Sequence, residues 1–187
     1  MKIKLLFVSI FTGLGVLTLA SVTEAATLFL TPSSVEVGTG EKIVVDLKVD
    51  SEGVSFNAAQ ATIRFPKDLV EVASIDKTGS AFSFWLEEPT FSNSDGIISF
   101  TGGTPYGVSG GSIQIFKIVF TPKGSGADNL SLSDAAVTAS DGSGTNILSK
   151  TIDAALTILP AKVIPAPKIP LPVEITRKPT PASGLPI

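Results

Sequence analysis

The chain has 187 residues, 14 basic against 17 acidic side chains, no cysteine and no histidine. That inventory excludes imidazole and thiolate metal sites, a serine–histidine–aspartate triad, a cysteine nucleophile and any disulfide framework. A formal net charge of −3 argues against a nucleic-acid partner, whose phosphates need a basic surface. Hydrophobic residues make up 43% of the chain, enough for one packed core of ordinary size.

In chain order, the first segment reads as an export leader. Lys2 and Lys4 precede an uncharged apolar run from Leu5 to Ala20, and Thr23-Glu24-Ala25 places small residues where a signal peptidase cuts. The run is shorter than the roughly 20 apolar residues that span a bilayer. Residues 1–25 are therefore expected to be a cleaved signal peptide, and the mature protein to be secreted.

Residues 26–159 carry a period of two rather than a helical period. Ile43, Val45, Leu47 and Val49 alternate with Val44, Asp46, Lys48 and Asp50; Ala59, Ala61, Ile63 and Phe65 alternate with Ala58, Gln60, Thr62 and Arg64. Phe116, Ile118 and Phe120 alternate with Lys117, Val119 and Thr121, and Ile152, Ala154, Leu156 and Ile158 read as one last strand. Shorter strand candidates are 27–31, 69–75, 97–101 and 130–133. Turn signals separate them, among them Gly38-Thr39-Gly40, Ser94-Asp95-Gly96 and Asp141-Gly142-Ser143-Gly144. About nine strands at this spacing predict an all-β sandwich of two antiparallel sheets packed face to face. Eight prolines fall from Pro160 onward, in alternations such as Ile164-Pro165-Ala166-Pro167 that block helix and central strand. Residues 160–187 are expected to be disordered, a polyproline-II-like spacer of roughly 85 Å at about 3.1 Å per residue, serving as a linker or cell-surface stalk. Charge divides at the same place: 27–159 holds eight basic and fifteen acidic residues, whereas the proline-rich segment is mildly basic.

Four constellations invite chemistry. Ser80 to Pro89 contains the single tryptophan, Trp85, and Tyr106 is the single tyrosine; exposed, either ring would stack on the face of a sugar, so both are candidate polysaccharide-binding residues. Glu87-Glu88 is the one adjacent acidic pair. Neighbours on an extended strand point to opposite faces, so the two cannot flank one glycosidic bond as hydrolysis requires, and no catalytic residues are assigned. Asp141 to Asn146 begins like a calcium loop, but its sixth position is Asn146 and its twelfth Ile152, where glycine and glutamate are needed. A sandwich-edge calcium site at Asp134 or Asp141 stays open without a supporting motif; no metal ligand is assigned and no cofactor is expected. Gly102 to Gly111, with five glycines, lacks the ending of a phosphate loop and reads as a flexible surface loop.

Several of these stretches, in order, resemble the cohesin domain family. Phe56 to Phe65 alternates and ends in an aromatic, turns at Pro66-Lys67-Asp68 and resumes as Leu69-Val70-Glu71-Val72. Val35-Glu36-Val37-Gly38-Thr39-Gly40-Glu41 with Val45 to Val49 is similar to the family's opening, and Ile97 to Gly103, Ile115 to Phe120 and Ala139 to Ile147 follow in the family's order. The likeness extends over 27–159. It implies a nine-stranded jelly-roll sandwich without catalytic activity, which receives the dockerin module of a polysaccharide-degrading enzyme or, like related modules, binds a polysaccharide directly. On the implied docking face, the wet side of the Ala58–Phe65 strand, Gln60, Thr62 and Arg64 are the candidate partner-binding residues. Gln60 stands where an acidic residue is common in the family, which removes a charge-assisted hydrogen bond. A structural surface domain with no dedicated ligand is the third reading.

Overall fold

The computed structural model describes residues 26–161. The expected leader and the proline-rich segment from 162 onward lie outside the described residues. Eleven strands follow one another: β1 (Ala26–Thr31), β2 (Ser34–Gly38), β3 (Ile43–Asp50), β4 (Phe56–Arg64), β5 (Val70–Asp76), β6 (Phe84–Ser92), β7 (Ile97–Val108), β8 (Ile113–Pro122), β9 (Gly126–Ala139), β10 (Leu148–Ile152) and β11 (Ala154–Leu159). They form a five-stranded sheet in the order β10-β1-β3-β8-β5 and a six-stranded sheet in the order β2-β11-β9-β4-β7-β6.

The expected sandwich is present, with two corrections to its detail. Both sheets are mixed rather than purely antiparallel, because β1 pairs with β10 and β2 with β11 in parallel register. The count is eleven rather than nine because the first and last strands are each split in two by a crossing between sheets. The first crossing lies at the cis Thr31–Pro32 peptide, where the proline has no N–H to continue a ladder. The second lies at Asp153, whose Oδ1 accepts a 2.9 Å hydrogen bond from the Leu132 amide. Ile152 therefore does not continue the apolar face of β11; it sits in the other sheet opposite Phe29 and is 40% exposed.

Alternation places the core where the sequence reading puts it. Ile43, Val45, Leu47 and Val49 of β3, Ala59, Ala61 and Ile63 of β4, Ile118 and Phe120 of β8, and Ala154, Leu156 and Ile158 of β11 are all buried. A bulge in β8, between the pairs Leu47–Phe116 and Lys48–Gln114, turns both Ile115 and Phe116 inward. Aromatic rings join the sheets at two places. Phe100 of β7 and Phe116 of β8 meet edge to face with centroids 5.0 Å apart, and Phe65 meets Phe120 at 5.6 Å. Offset contacts of this kind add about 0.5–1.5 kcal/mol beyond simple burial.

The glycine-rich stretch is not a surface loop. β7 runs on through Gly102 and Gly103 to Val108, and only 109–112 form the connection to β8. The missing side chains are what lets β6 fold over it: a Cβ on Gly102 would lie 2.5 Å from Trp85 Cε3 and 3.0 Å from Phe82 Cδ2, and one on Gly103 would lie 2.9 Å from Phe84 Cζ. Gly102→Ala should accordingly lower unfolding free energy by about 1–3 kcal/mol, the usual cost of overpacking. Gly38→Ala, whose Cβ would make an ordinary 3.7 Å contact with Glu41 Oε1, should change it by less than about 0.5 kcal/mol. Urea denaturation monitored by Trp85 fluorescence separates the two; equal midpoints would contradict the packing described.

Candidate functional site

The four contiguous strands β9, β4, β7 and β6 give the six-stranded sheet a broad outer face. On β4 the inward set is apolar, so parity sends Gln60, Thr62 and Arg64 outward; Gln60 and Arg64 are exposed and Thr62 half-buried. The three candidate partner-binding residues therefore share one face. Across the sheet Gln60 stands opposite Thr101 and Ala136, Thr62 opposite Ser99 and Ser133, and Arg64 opposite Ile97 and Ser131. Apart from Ile97 these are small neutral groups, so the face around Gln60 and Thr62 is low.

Two carboxylates reach this face from the flanking strands, each at an irregularity. β6 slips register on either side of Glu87, which pairs with Thr101 while Leu86 is thrown out to 85% exposure. β9 slips between the pairs Gln60–Ala136 and Thr62–Ser133, and Asp134 lies in that slip with φ 50°, a conformation aspartate tolerates better than most residues. With Gln60, Thr62, Ser99 and Thr101, they line a shallow cleft of about 100 Å³. Ser99 Oγ donates to Glu87 Oε1 at 2.6 Å, and Ser133 Oγ to Asp134 Oδ2 at 3.2 Å. Among the described residues neither carboxylate has a cationic partner within salt-bridge distance; the two ion pairs are Lys48–Asp46 and Lys77–Glu88.

The outer face of the five-stranded sheet is arranged differently. Asp46 lies 3.5 Å from Lys48 and opposite Lys117, which is in turn opposite Asp76. Hydrogen bonds from the hydroxyl and amide of Thr78, with a smaller contribution from Lys117, hold the Asp76 carboxyl below its ordinary range. Asp50 and Lys150 flank Thr27 from either side, beside a hollow of about 220 Å³ floored by Phe29 and Ile152. Opposite charges there are neighbours, Asp46 and Lys48 along β3 and Lys117 between Asp46 and Asp76 across strands, as expected of a solvated face.

The structure does not bring the two candidate sugar-stacking rings together. Trp85 is half-buried; its ring meets Phe82, Phe100 and Phe116 with centroids 5.7–6.4 Å away, and Lys77 Nζ stands 5.3 Å from its centroid. Tyr106 is 81% exposed but lies four residues past Gly102, the partner of Trp85, which is roughly 13 Å along an extended strand. Glu87 and Glu88 part company as expected of neighbours on a strand: the first hydrogen-bonds Ser99, the second pairs with Lys77. Sequence reasoning weighed Glu87 only as a catalytic acid and Asp134 only as a calcium ligand; the register slips that bring them beside Gln60 leave no spacing signal. Asp141 Oδ2 accepts from Thr145 Oγ1 at 2.6 Å and Oδ1 from the Ser143 amide at 2.8 Å, closing the turn on itself.

Those bonds, the Thr145 hydroxyl first, hold the Asp141 carboxyl below its ordinary range. A depressed folded-state pKa contributes stability above the unfolded value that is lost as pH falls through the folded one. Thr145→Val should move the Asp141 titration upward toward that of a free aspartate, read from its carboxyl carbon by NMR, and an unmoved midpoint would show that the hydroxyl contributes nothing.

A family model for the cohesin domain matches residues 28–159. No curated protein matches the chain. Among solved structures, similar ones include a non-cellulosomal cohesin from the archaeon Archaeoglobus fulgidus (19% identity, TM-score 0.59, covering 72% of this chain and 91% of that one). A cohesin module of a family 33 glycoside hydrolase from Clostridium perfringens matches at 16% identity and TM-score 0.57, covering 73% and 96%. A cohesin from Clostridium thermocellum, solved in a type I complex with a dockerin, matches at 13% identity and TM-score 0.55, covering 73% and 94%.

Proposed function

This chain belongs to the cohesin domain family, and from that premise we propose that it is a secreted, non-catalytic recognition module that holds a dockerin-bearing partner on the outer face of its six-stranded sheet. Five of the similar structures are cohesins bound to dockerins, which supports a protein partner of that kind. The observation that carries the choice of face is the contrast between the two sheets. On the five-stranded face Asp46 pairs with Lys48 along β3, and Asp46 and Asp76 both stand opposite Lys117, whereas the six-stranded face offers exposed Gln60 and Arg64, half-buried Thr62 and two carboxylates without a cation in salt-bridge distance around one cleft. Interfaces of this kind draw specificity from placed polar groups more than from area. The apolar leader and the proline-rich segment support export and a spacer role, with association at a cell surface or in a polysaccharide-degrading assembly.

Direct polysaccharide binding is the competing reading, resting on exposed Tyr106 while the Trp85 ring is occupied by core contacts. The two separate by titration. Calcium-loaded dockerin modules from the same genome, titrated calorimetrically into the purified chain, should include at least one that binds. Replacing Gln60 and Thr62 together by alanine should weaken that complex about ten-fold or more, as the loss of one or two interfacial hydrogen bonds implies. Failure of every dockerin to bind, with retardation on polysaccharide gels that Tyr106→Ala abolishes, would favour the saccharide reading instead.

A further inference from the structure

We propose that the side-chain amide of Asn93 acts as a one-residue strand, filling the open edge of β5 and so keeping a second copy of this chain from pairing there. β5 ends the five-stranded sheet, and among the described residues no strand pairs with its outer edge. Such an edge presents N–H and C=O groups to any extended chain. The Val72 amide donates to Asn93 Oδ1 at 2.8 Å, and Asn93 Nδ2 donates to the Val72 carbonyl at 3.1 Å. A residue that exchanges both backbone groups with one partner forms the hydrogen-bonded pair of an antiparallel ladder. Here a side chain from the other sheet takes the partner's place.

The amide is held in position before any partner arrives. Asn93 opens the turn between β6 and β7, where the Gly96 amide donates to the Ser92 carbonyl at 2.9 Å and Ser92 Oγ donates to Asp95 Oδ2 at 2.6 Å. The turn is also tied to the segment that leads into β5. Lys67 Nζ donates to the Ser94 carbonyl at 2.7 Å, and the Phe65 amide to the Gly96 carbonyl at 2.9 Å. Preorganisation of this kind lets one side chain hold an edge that a freely rotating one would leave open. Beside Val72 the edge is closed by other means: the Val70 amide donates to the Pro66 carbonyl at 3.0 Å, and a bulge between Val72 and Ser74 breaks the register. Val72 is therefore where a foreign strand would begin to pair.

The occupant kept out is a second copy because the edge complements itself. Two β5 strands related by a two-fold axis through Val72 would each supply the N–H and C=O that the other needs, an isologous contact that closes on itself. In that register Glu71 falls opposite Ala73 rather than another acid.

The test compares the parent chain with N93A and N93D. In N93A, hydrogen exchange at the Val72 amide should quicken about ten-fold more than at the Leu47 amide of β3, as the loss of one or two buried hydrogen bonds implies. Sedimentation velocity should show a dimer that grows with concentration, where the parent stays monomeric. In N93D a protonated carboxyl restores the seal, its O–H donating to the Val72 carbonyl while its other oxygen accepts from the Val72 amide; ionised, it has no donor. N93D should thus be monomeric at about pH 3, below the ordinary aspartate range, and dimerise at about pH 7. Lys67, Glu71 and Asp95, the charged groups around the turn, titrate in the parent as well, which is the control at both pH values. A parent that itself dimerises, an N93A that stays monomeric, or an N93D that associates equally at both pH values would overturn the proposal. So would exchange at Leu47 rising as far as at Val72, which would make Asn93 an ordinary stability contact.

Discussion

Everything in this molecule depends on the dry contact between the inner faces of two sheets. With no cysteine and no histidine there is no cross-link and no resident imidazole–metal clamp to share the task. A domain of this size has to gain its few kcal/mol of net stability from buried aliphatic and aromatic side chains. Phe100 against Phe116 at one place and Phe65 against Phe120 at another fix how the sheets sit on each other, and Trp85 extends the first contact toward the edge at β6. Because the interior is almost wholly apolar, with Thr27, Ser51 and Thr104 the buried polar residues among those described, polar chemistry is displaced to the outer faces.

Irregular pairing is what makes one of those faces different from the other. A regular antiparallel strand alternates strictly and can display only what its parity allows. The slips in β6 and β9 break that parity locally, bringing Glu87 and Asp134 to the side where Gln60, Thr62, Ser99 and Thr101 already point. The same slips serve the edge. β6 ends its sheet and carries exposed Phe84, Leu86 and Phe91, a surface that invites pairing with another chain; Pro89 and the bulges interrupt the row of donors that such pairing would need.

The strands most legible in the sequence are those with one wet face, β3, β4, β8 and β11, because burial on one side imposes alternation on the side chains themselves. β6 is illegible for the opposite reason: Phe84 to Ser92 lies at an edge with two bulges, so neither face is covered continuously and no period survives. Gly102 and Gly103 mislead in isolation, since glycine marks turns, and only the rings of Trp85 and Phe84 seated on them show why a strand needs them there. The crossings at Pro32 and Asp153 leave alternation intact while changing which sheet a residue belongs to, hence one continuous last strand in the sequence and two in the fold. For the site, parity placed Gln60, Thr62 and Arg64 on one face, but the acidic walls of the cleft arrive through register, a property of pairs of strands that no single segment records.

The split first strand has a consequence for how the chain comes to be folded. β1 can pair with β3 as soon as both exist, but its other side stays bare until Leu148 to Ile152 arrives, as the bond from Ser149 Oγ to the Ala26 carbonyl, 123 residues away in sequence, makes plain. β2 and β9 likewise wait for β11. Closure is therefore a late event that must draw together the two ends of the domain, and loop-closure entropy makes such events slow. Any nascent or proteolysed fragment ending before residue 148 would carry unsealed backbone in both layers and tend to stick to its neighbours.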